Sequence, residues 1–123
     1  MEWKKDKAIY LQVIDLFKAN LMNGKFKMND KIPSVREYSM ELNINPNTIA
    51  KVYEILSEEG WIEARSTNGY FISANQQMIS DLKTSTAKEY CKDFLLHMQF
   101  CGFEKEEIIN FLKGSENDVI RMP

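Results

Sequence analysis

The sequence predicts a mainly α fold with a small β-hairpin, divided into a compact N-terminal domain and a two-helix C-terminal tail. Three observations predict it. Two well-marked helix starts, at Ser34 and Asn45, lie eleven residues apart. Two short β-prone runs flank Asn68-Gly69 directly behind them. The last third of the chain carries a long apolar row without an evident partner. The composition fits: 123 residues, 44% hydrophobic and 28% charged, suffice for one modest core but not for an enzyme with a separate cofactor domain.

The elements follow in order. Tyr10, Val13, Ile14, Phe17 and Leu21 form the stripe of a first helix, which Asn23 and Gly24 end with a left-handed cap. Ser34 as N-cap and Glu37 three residues on make a capping box, opening a second helix from Val35 to about Leu42. Asn45 caps a third helix, Pro46 takes its first position, and Ile44 is placed to staple onto Ile49. That helix buries Ile49, Val52, Tyr53 and Leu56 and stops at Gly60. Only Asn43 and Ile44 remain between the second and third helices, so the pair is a helix-turn-helix; Asn43 tolerates the left-handed corner this demands. Trp61–Arg65 and Tyr70–Ser73 read as strands joined by a tight turn at Asn68-Gly69. A hairpin in this place is a wing.

The small polar run Ser73-Ala74-Asn75-Gln76 marks a boundary, giving a winged helix-turn-helix domain at 1–75 and a helical dimerisation tail at 76–123. Charge follows the division: ten basic and ten acidic residues precede it, six basic and eight acidic follow, for a net −2. In the tail, Ile79, Leu82, Thr86, Tyr90, Phe94, Met98 and Cys101 are read as one face of a long helix ended by Gly102. A shorter helix from Glu104 to Lys113 offers Ile108, Ile109, Phe111 and Leu112; beyond Gly114 there is no usable pattern. Two helices rarely make a core alone, so the tail's apolar residues (Ile79, Leu82, Tyr90, Phe94, Met98, Cys101, Ile108, Phe111 and Leu112) are expected to join two copies.

Chemistry points to nucleic acid. The second helix of such a motif presents its N-terminal residues to base edges in the major groove, and here that tip holds Asn47, Thr48 and Lys51 behind Asn45. Asn can bond adenine through two atoms, Thr offers hydroxyl or methyl, and Lys reaches guanine or phosphate. Ser34 and Arg36 sit at a helix start that favours an anion. Arg65, Ser66, Thr67, Asn68 and Gly69 form a wing tip suited to the backbone or the minor groove. With so little net charge, affinity must come from a local patch including Lys4, Lys5, Lys7, Arg36, Lys51 and Arg65. The partner expected is a double-stranded operator of inverted-repeat form, met by a homodimer.

The order of these motifs resembles the GntR family of bacterial transcription regulators from about Ala8 to Ser73. The resemblance rests on Ile9-Tyr10-Leu11-Gln12-Val13, Gly24, Asp30 to Glu37, Leu42 to Ile49, Val52 to Leu56, Glu59 to Glu63 and Gly69 to Ile72. It implies DNA contacts at Arg36, at Asn45, Asn47 and Thr48, and in the wing from Ser66 to Gly69. The chain departs from the family pattern at Met28-Asn29-Asp30, usually Pro-Gly-Asp; near Ser66 and Thr67, where a second Gly is usual; and at Ala50, where some members carry Arg. The short remainder is similar to the YtrA-like branch, with Gly102 to Ile108 like its inter-helix segment, which implies a dimeric regulator, often a repressor, of transporter operons.

Other classes are weaker. His97 and Cys101 share a helix face, with Cys91 and Glu104 nearby, but no metal-site spacing accompanies them, and no metal or other cofactor is expected. The seven Met and seven Phe suggest a hydrophobic ligand pocket in the tail, but such residues are more often core; Phe94, Met98, Ile108 and Phe111 are expected to pack the two tail helices together or against a partner subunit, and the effector is unknown. Catalysis has no support in a chain with one His and no nucleotide or hydrolase motif. A winged helix serving a protein partner is the other alternative; the polar tip argues for DNA. Without a membrane-length apolar run or a secretory start, the chain is expected in the cytoplasm.

Overall fold

The computed structural model describes residues 2–120, and for 115–120 the backbone alone; Met1 and residues 121–123 of the two expected domains lie outside the described residues. The elements run α1 (Ile9–Met22), α2 (Val35–Leu42), α3 (Pro46–Glu58), β1 (Ile62–Ala64), β2 (Tyr70–Ile72), α4 (Gln76–Phe100) and α5 (Lys105–Ile120). The chain divides into two compact units, Met1–Lys83 and Thr84–Pro123, with α4 running through the division.

In the first unit α3 is the hub, packing against α1, α2 and β1. Its apolar residues Ile49, Val52, Tyr53 and Leu56 are all buried, meeting Val13, Phe17 and Leu21 from α1 and Ile62 and Ile72 from the hairpin. Each buried side chain of this size contributes about 1.5–3 kcal/mol. The helix starts are built as their sequence dictates. Ser34 Oγ accepts from the Glu37 N–H at 3.1 Å and Glu37 Oε1 accepts from the Ser34 N–H at 3.0 Å. These bonds, first of all the one from the Ser34 backbone, hold the Glu37 carboxyl below the usual carboxylate range. Asn43 takes the left-handed conformation, φ 54° and ψ 50°, that turns the chain between α2 and α3.

Tyr38 packs beside Tyr53, ring centres 6.0 Å apart, but among the described residues its buried hydroxyl has no hydrogen-bond partner. Burial, with Glu41 adding to it, pushes the phenol up to about 12. Removing an unsatisfied hydroxyl relieves its desolvation cost. Tyr38→Phe is therefore expected to leave stability unchanged or raise it by about 1 kcal/mol, and a loss above that in urea unfolding would show that the hydroxyl is satisfied in solution.

The hairpin pairs Ile62 with Ile72, Glu63 with Phe71 and Ala64 with Tyr70. Two features differ from expectation. The tight turn is centred on Ser66-Thr67 rather than Asn68-Gly69: the Asn68 N–H donates to Arg65 O at 3.0 Å, and the Arg65 N–H to Gly69 O at 2.9 Å. Ser66 adopts the left-handed region, φ 55°, and Gly69 a φ of 103°, so the glycine absorbs the extra residues behind the turn instead of forming it. The hairpin also gains a third edge, because Lys31 bridges Phe71 and the Ile32 N–H donates to Tyr70 O at 3.0 Å.

Asn75 caps α4 by accepting from the Met78 N–H at 2.8 Å, and Met78 and Ile79 pack on the first unit's core. Ile79, expected between subunits, is thus half-buried in the single chain. The helix ends in a Schellman arrangement: Gly102 has φ 90°, its N–H donates to Gln99 O at 2.9 Å, and that of Phe103 to Met98 O at 3.1 Å. The expected single apolar face of α4 is not a straight one. A row in steps of four turns by about 40° per step; Tyr90 in it is 71% exposed and Phe94 37%. The fifth helix extends past Gly114 to Ile120, longer than its apolar pattern indicates.

Candidate nucleic-acid interface

The expected contact residues fall on three adjoining pieces of the first unit: the start of α2, the start of α3 and the tip of the wing. Their spacing is set by the core. Tyr53, rooted in α3, donates its hydroxyl to Pro33 O at 2.6 Å, which fixes α3 against the turn that carries Ser34 and Arg36. Burial and neighbouring Tyr and Glu charges raise the Tyr53 phenol well above its ordinary value, so it stays a donor.

At the start of α2, Arg36 is exposed, and among the described residues no carboxylate lies within ion-pair distance of it. Ser34 Oγ is committed to its cap as acceptor and keeps one donor. At the start of α3, Asn45 Oδ1 accepts from the Asn47 N–H at 2.8 Å, leaving its NH₂ for a ligand. Asn47 is exposed and Thr48 half-buried. Lys51 is held in place: its Nζ lies 3.8 Å from the centre of the Tyr10 ring. At an exposed site a contact of this kind is worth about 0.5–1 kcal/mol.

In the wing, Ser66, Thr67 and Asn68 are exposed, whereas Arg65 is braced from three sides. Its Nη2 donates to Asn29 Oδ1 at 2.7 Å and to Glu63 Oε1 at 3.0 Å, and its guanidinium lies 4.6 Å over Phe71. Arg65 is therefore partly neutralised and shapes the wing as much as it charges it. Asn29, in the left-handed region with φ 73°, does what a glycine there would do for the backbone and also supplies the brace. Asn29, Tyr10 and Lys31, which would touch a Cβ on Gly69 at 3.4 Å, were not legible as site residues, because their partners are 30 or more positions away in sequence or lie across the hairpin.

Ser66 holds a conformation that costs a non-glycine residue about 1–2 kcal/mol. Ser66→Gly is expected to raise stability by up to about 1 kcal/mol after the glycine's own entropy cost, read as a rise of a few degrees in melting temperature; a fall would mean that the serine side chain holds the turn.

In the tail the expected residues diverge. Ile108 is buried and Met98 half-buried; Phe94, Phe111, Leu112 and Cys101 are exposed, as are Leu95, Leu96 and Phe100. The Phe103 and Phe111 rings meet edge-on at 5.0 Å. His97 Nδ1 lies 2.6 Å from Asp93 O, and among the described residues no three His, Cys, Asp or Glu side chains converge as metal ligands. No helix among the described residues is long and apolar enough to cross a membrane.

Comparison with known proteins settles the class. The model of bacterial regulatory proteins of the gntR family matches residues 9–72, from the first turn of α1 to the end of the wing. The chain belongs to the GntR family. Over 112 residues it is 35% identical to the HTH-type transcriptional repressor YtrA of Bacillus subtilis, covering 90% of this chain and 86% of that one. It is 32% identical to the B. subtilis HTH-type regulator YhcF, covering 91% and 93%. Among solved structures, a GntR family regulator from Listeria monocytogenes superposes with a TM-score of 0.84 at 29% identity, covering 91% of this chain and 98% of that one. This GntR protein is a DNA-binding transcriptional regulator and not an enzyme.

Proposed function

We propose that this GntR regulator works in the cytoplasm as a homodimeric repressor that reads an inverted-repeat operator, with a transporter operon as the target expected from its likeness to the short-tailed branch. The observation that carries the reading is the free, polar start of α3, Asn47 and Thr48, flanked by the unpaired Arg36 and by Lys51 fixed on Tyr10. Such a surface mixes base-reading and phosphate-anchoring groups. The contacts proposed are Ser34, Arg36, Asn45, Asn47, Thr48 and Lys51, with Ser66 to Gly69 on the flanking backbone and Arg65 bracing them.

Dimerisation is supported by the tail. Tyr90, Phe94, Leu95, Leu96, Phe100, Ile109, Phe111 and Leu112 are all more than a third exposed. Within α4, Thr84, Ala87, Cys91, Phe94 and Met98 follow spacings of three and four, the seam along which helices pair. Repression is supported by 35% identity to a protein named as a repressor.

Selection of sites from random duplex DNA, followed by sedimentation of the complex, tests the reading. The expected result is an inverted repeat with half-sites about one helical turn apart, or a multiple of it, bound by two chains. No enriched motif, or a lone half-site bound by one chain, would overturn it.

A further inference from the structure

The side chain of Gln12 ties the segment preceding α1 to that helix. Gln12, half-buried on the first turn of α1, accepts at Oε1 from the Lys4 N–H at 2.8 Å. Its Nε2 donates to Lys4 O at 2.8 Å and to Lys7 O at 2.8 Å. One amide thus uses its acceptor and its NH₂ group on both ends of the loop Lys4-Lys5-Asp6-Lys7, meeting one backbone donor and two backbone carbonyls. The far side of the loop is anchored by Trp3, packed against the first unit's core, and its near side by the Lys7–Asp15 ion pair.

What the loop carries is charge. Lys4 and Lys5 are exposed, and among the described residues neither has a carboxylate within ion-pair distance. The segment is not strongly basic, since Glu2 and Asp6 offset two of its three lysines. Lys4 and Lys5 can therefore act only by placement, not by pooled charge. Their placement is beside the interface: Tyr10, two residues past the loop's junction at Ala8, lies under Lys51 of α3, so the first turn of α1 adjoins the flank of the recognition helix.

We propose that the loop Lys4–Lys7 is a preformed contact for the DNA sugar-phosphate backbone flanking the half-site, and that Gln12 is the residue positioning it. The inference rests on the DNA-binding reading above and adds a second contact element outside the helix-turn-helix and wing. The ligand group is a backbone phosphate, so the loop adds affinity and salt dependence without adding base preference.

The test is a double-mutant cycle on the full chain with its selected operator and with random duplex DNA. The variants are Gln12→Ala, Lys4→Ala/Lys5→Ala and the triple variant. Ala is the strongest helix former, so α1 itself should be kept, and an unchanged helical signal checks this. Lys4→Ala/Lys5→Ala should lower the slope of log affinity against log salt by about 0.9 for each phosphate no longer neutralised. Gln12→Ala should weaken binding to both DNAs by about three- to tenfold when the lysines are present and have no further effect when they are absent. Unchanged binding by Gln12→Ala, or an equal loss in both backgrounds, would overturn the inference while leaving the regulator's DNA binding intact. Wild-type protein without salt-dependent DNA binding would overturn both.

Discussion

Arg36→Ala is expected to weaken operator binding by roughly 30-fold to 10⁴-fold, because about 1–3 kcal/mol is lost at each of two half-sites. The fold should not change: Arg36 is exposed on the first turn of α2, and its side chain takes no part in the capping box of Ser34 and Glu37. The size of the effect follows from the state of the free side chain. Arg65 enters the complex already bonded to Glu63 and Asn29, and Lys51 already rests on Tyr10, so part of what either gains on DNA replaces an existing interaction. Among the described residues Arg36 has no such partner, and its five N–H donors are open to a guanine edge or a phosphate. Titration at two salt concentrations separates these two uses. Loss confined to the selected operator assigns Arg36 to a base; equal loss on random duplex, with a shallower salt slope, assigns it to phosphate. Unchanged affinity on both DNAs removes Arg36 from the interface.

Local chemistry made most of the first unit legible. A capping box, an Asn cap with Pro behind it, and an Asn at a two-residue corner are signals whose partners lie within four residues, and each folds as those residues dictate. Signals that needed a distant partner were misplaced or missed. The Asn68-Gly69 pair suggested the turn, but the site of the turn depends on register, which Ile62–Ile72 and the edge formed by Lys31 set from outside the loop. The same holds for the interface. Its polar tip was legible because helix starts expose their first residues, whereas the brace of Arg65 by Asn29, 36 positions away, required the folded wing. The family's usual glycines at these two places are replaced by Asn29 and Ser66, and both adopt the left-handed conformation a glycine would supply. In the tail, an apolar row in steps of four winds round the helix, so the row alone does not set which side chains pack together.

Phe94→Glu is expected to separate the proposed dimer and, with it, to abolish tight operator binding. Phe94 is 37% exposed in the single chain and occupies the middle of the seam between Cys91 and Met98, so in a dimer its ring is desolvated against a second copy. Replacing it by a carboxylate removes about 2 kcal/mol or more of apolar burial per chain. It also sets two like charges close together in an interface with no compensating base in the seam, a penalty of several kcal/mol. The domain that reads DNA is untouched, so each half-site is still recognised, but the second no longer follows as an intramolecular event, and avidity of the order of 10²–10⁴ disappears. Two readings distinguish this from simple unfolding. The variant should sediment near the chain mass of 14.4 kDa with an unchanged helical signal, and it should bind a single half-site as weakly as the wild-type protein binds one. Phe94→Leu, which keeps the seam apolar, should restore both the dimer and the operator complex. A Phe94→Glu protein that remains dimeric would move the interface to the other apolar side chains of the tail, Leu96 and Phe100 foremost, since Phe100 is 94% exposed and lies off the seam.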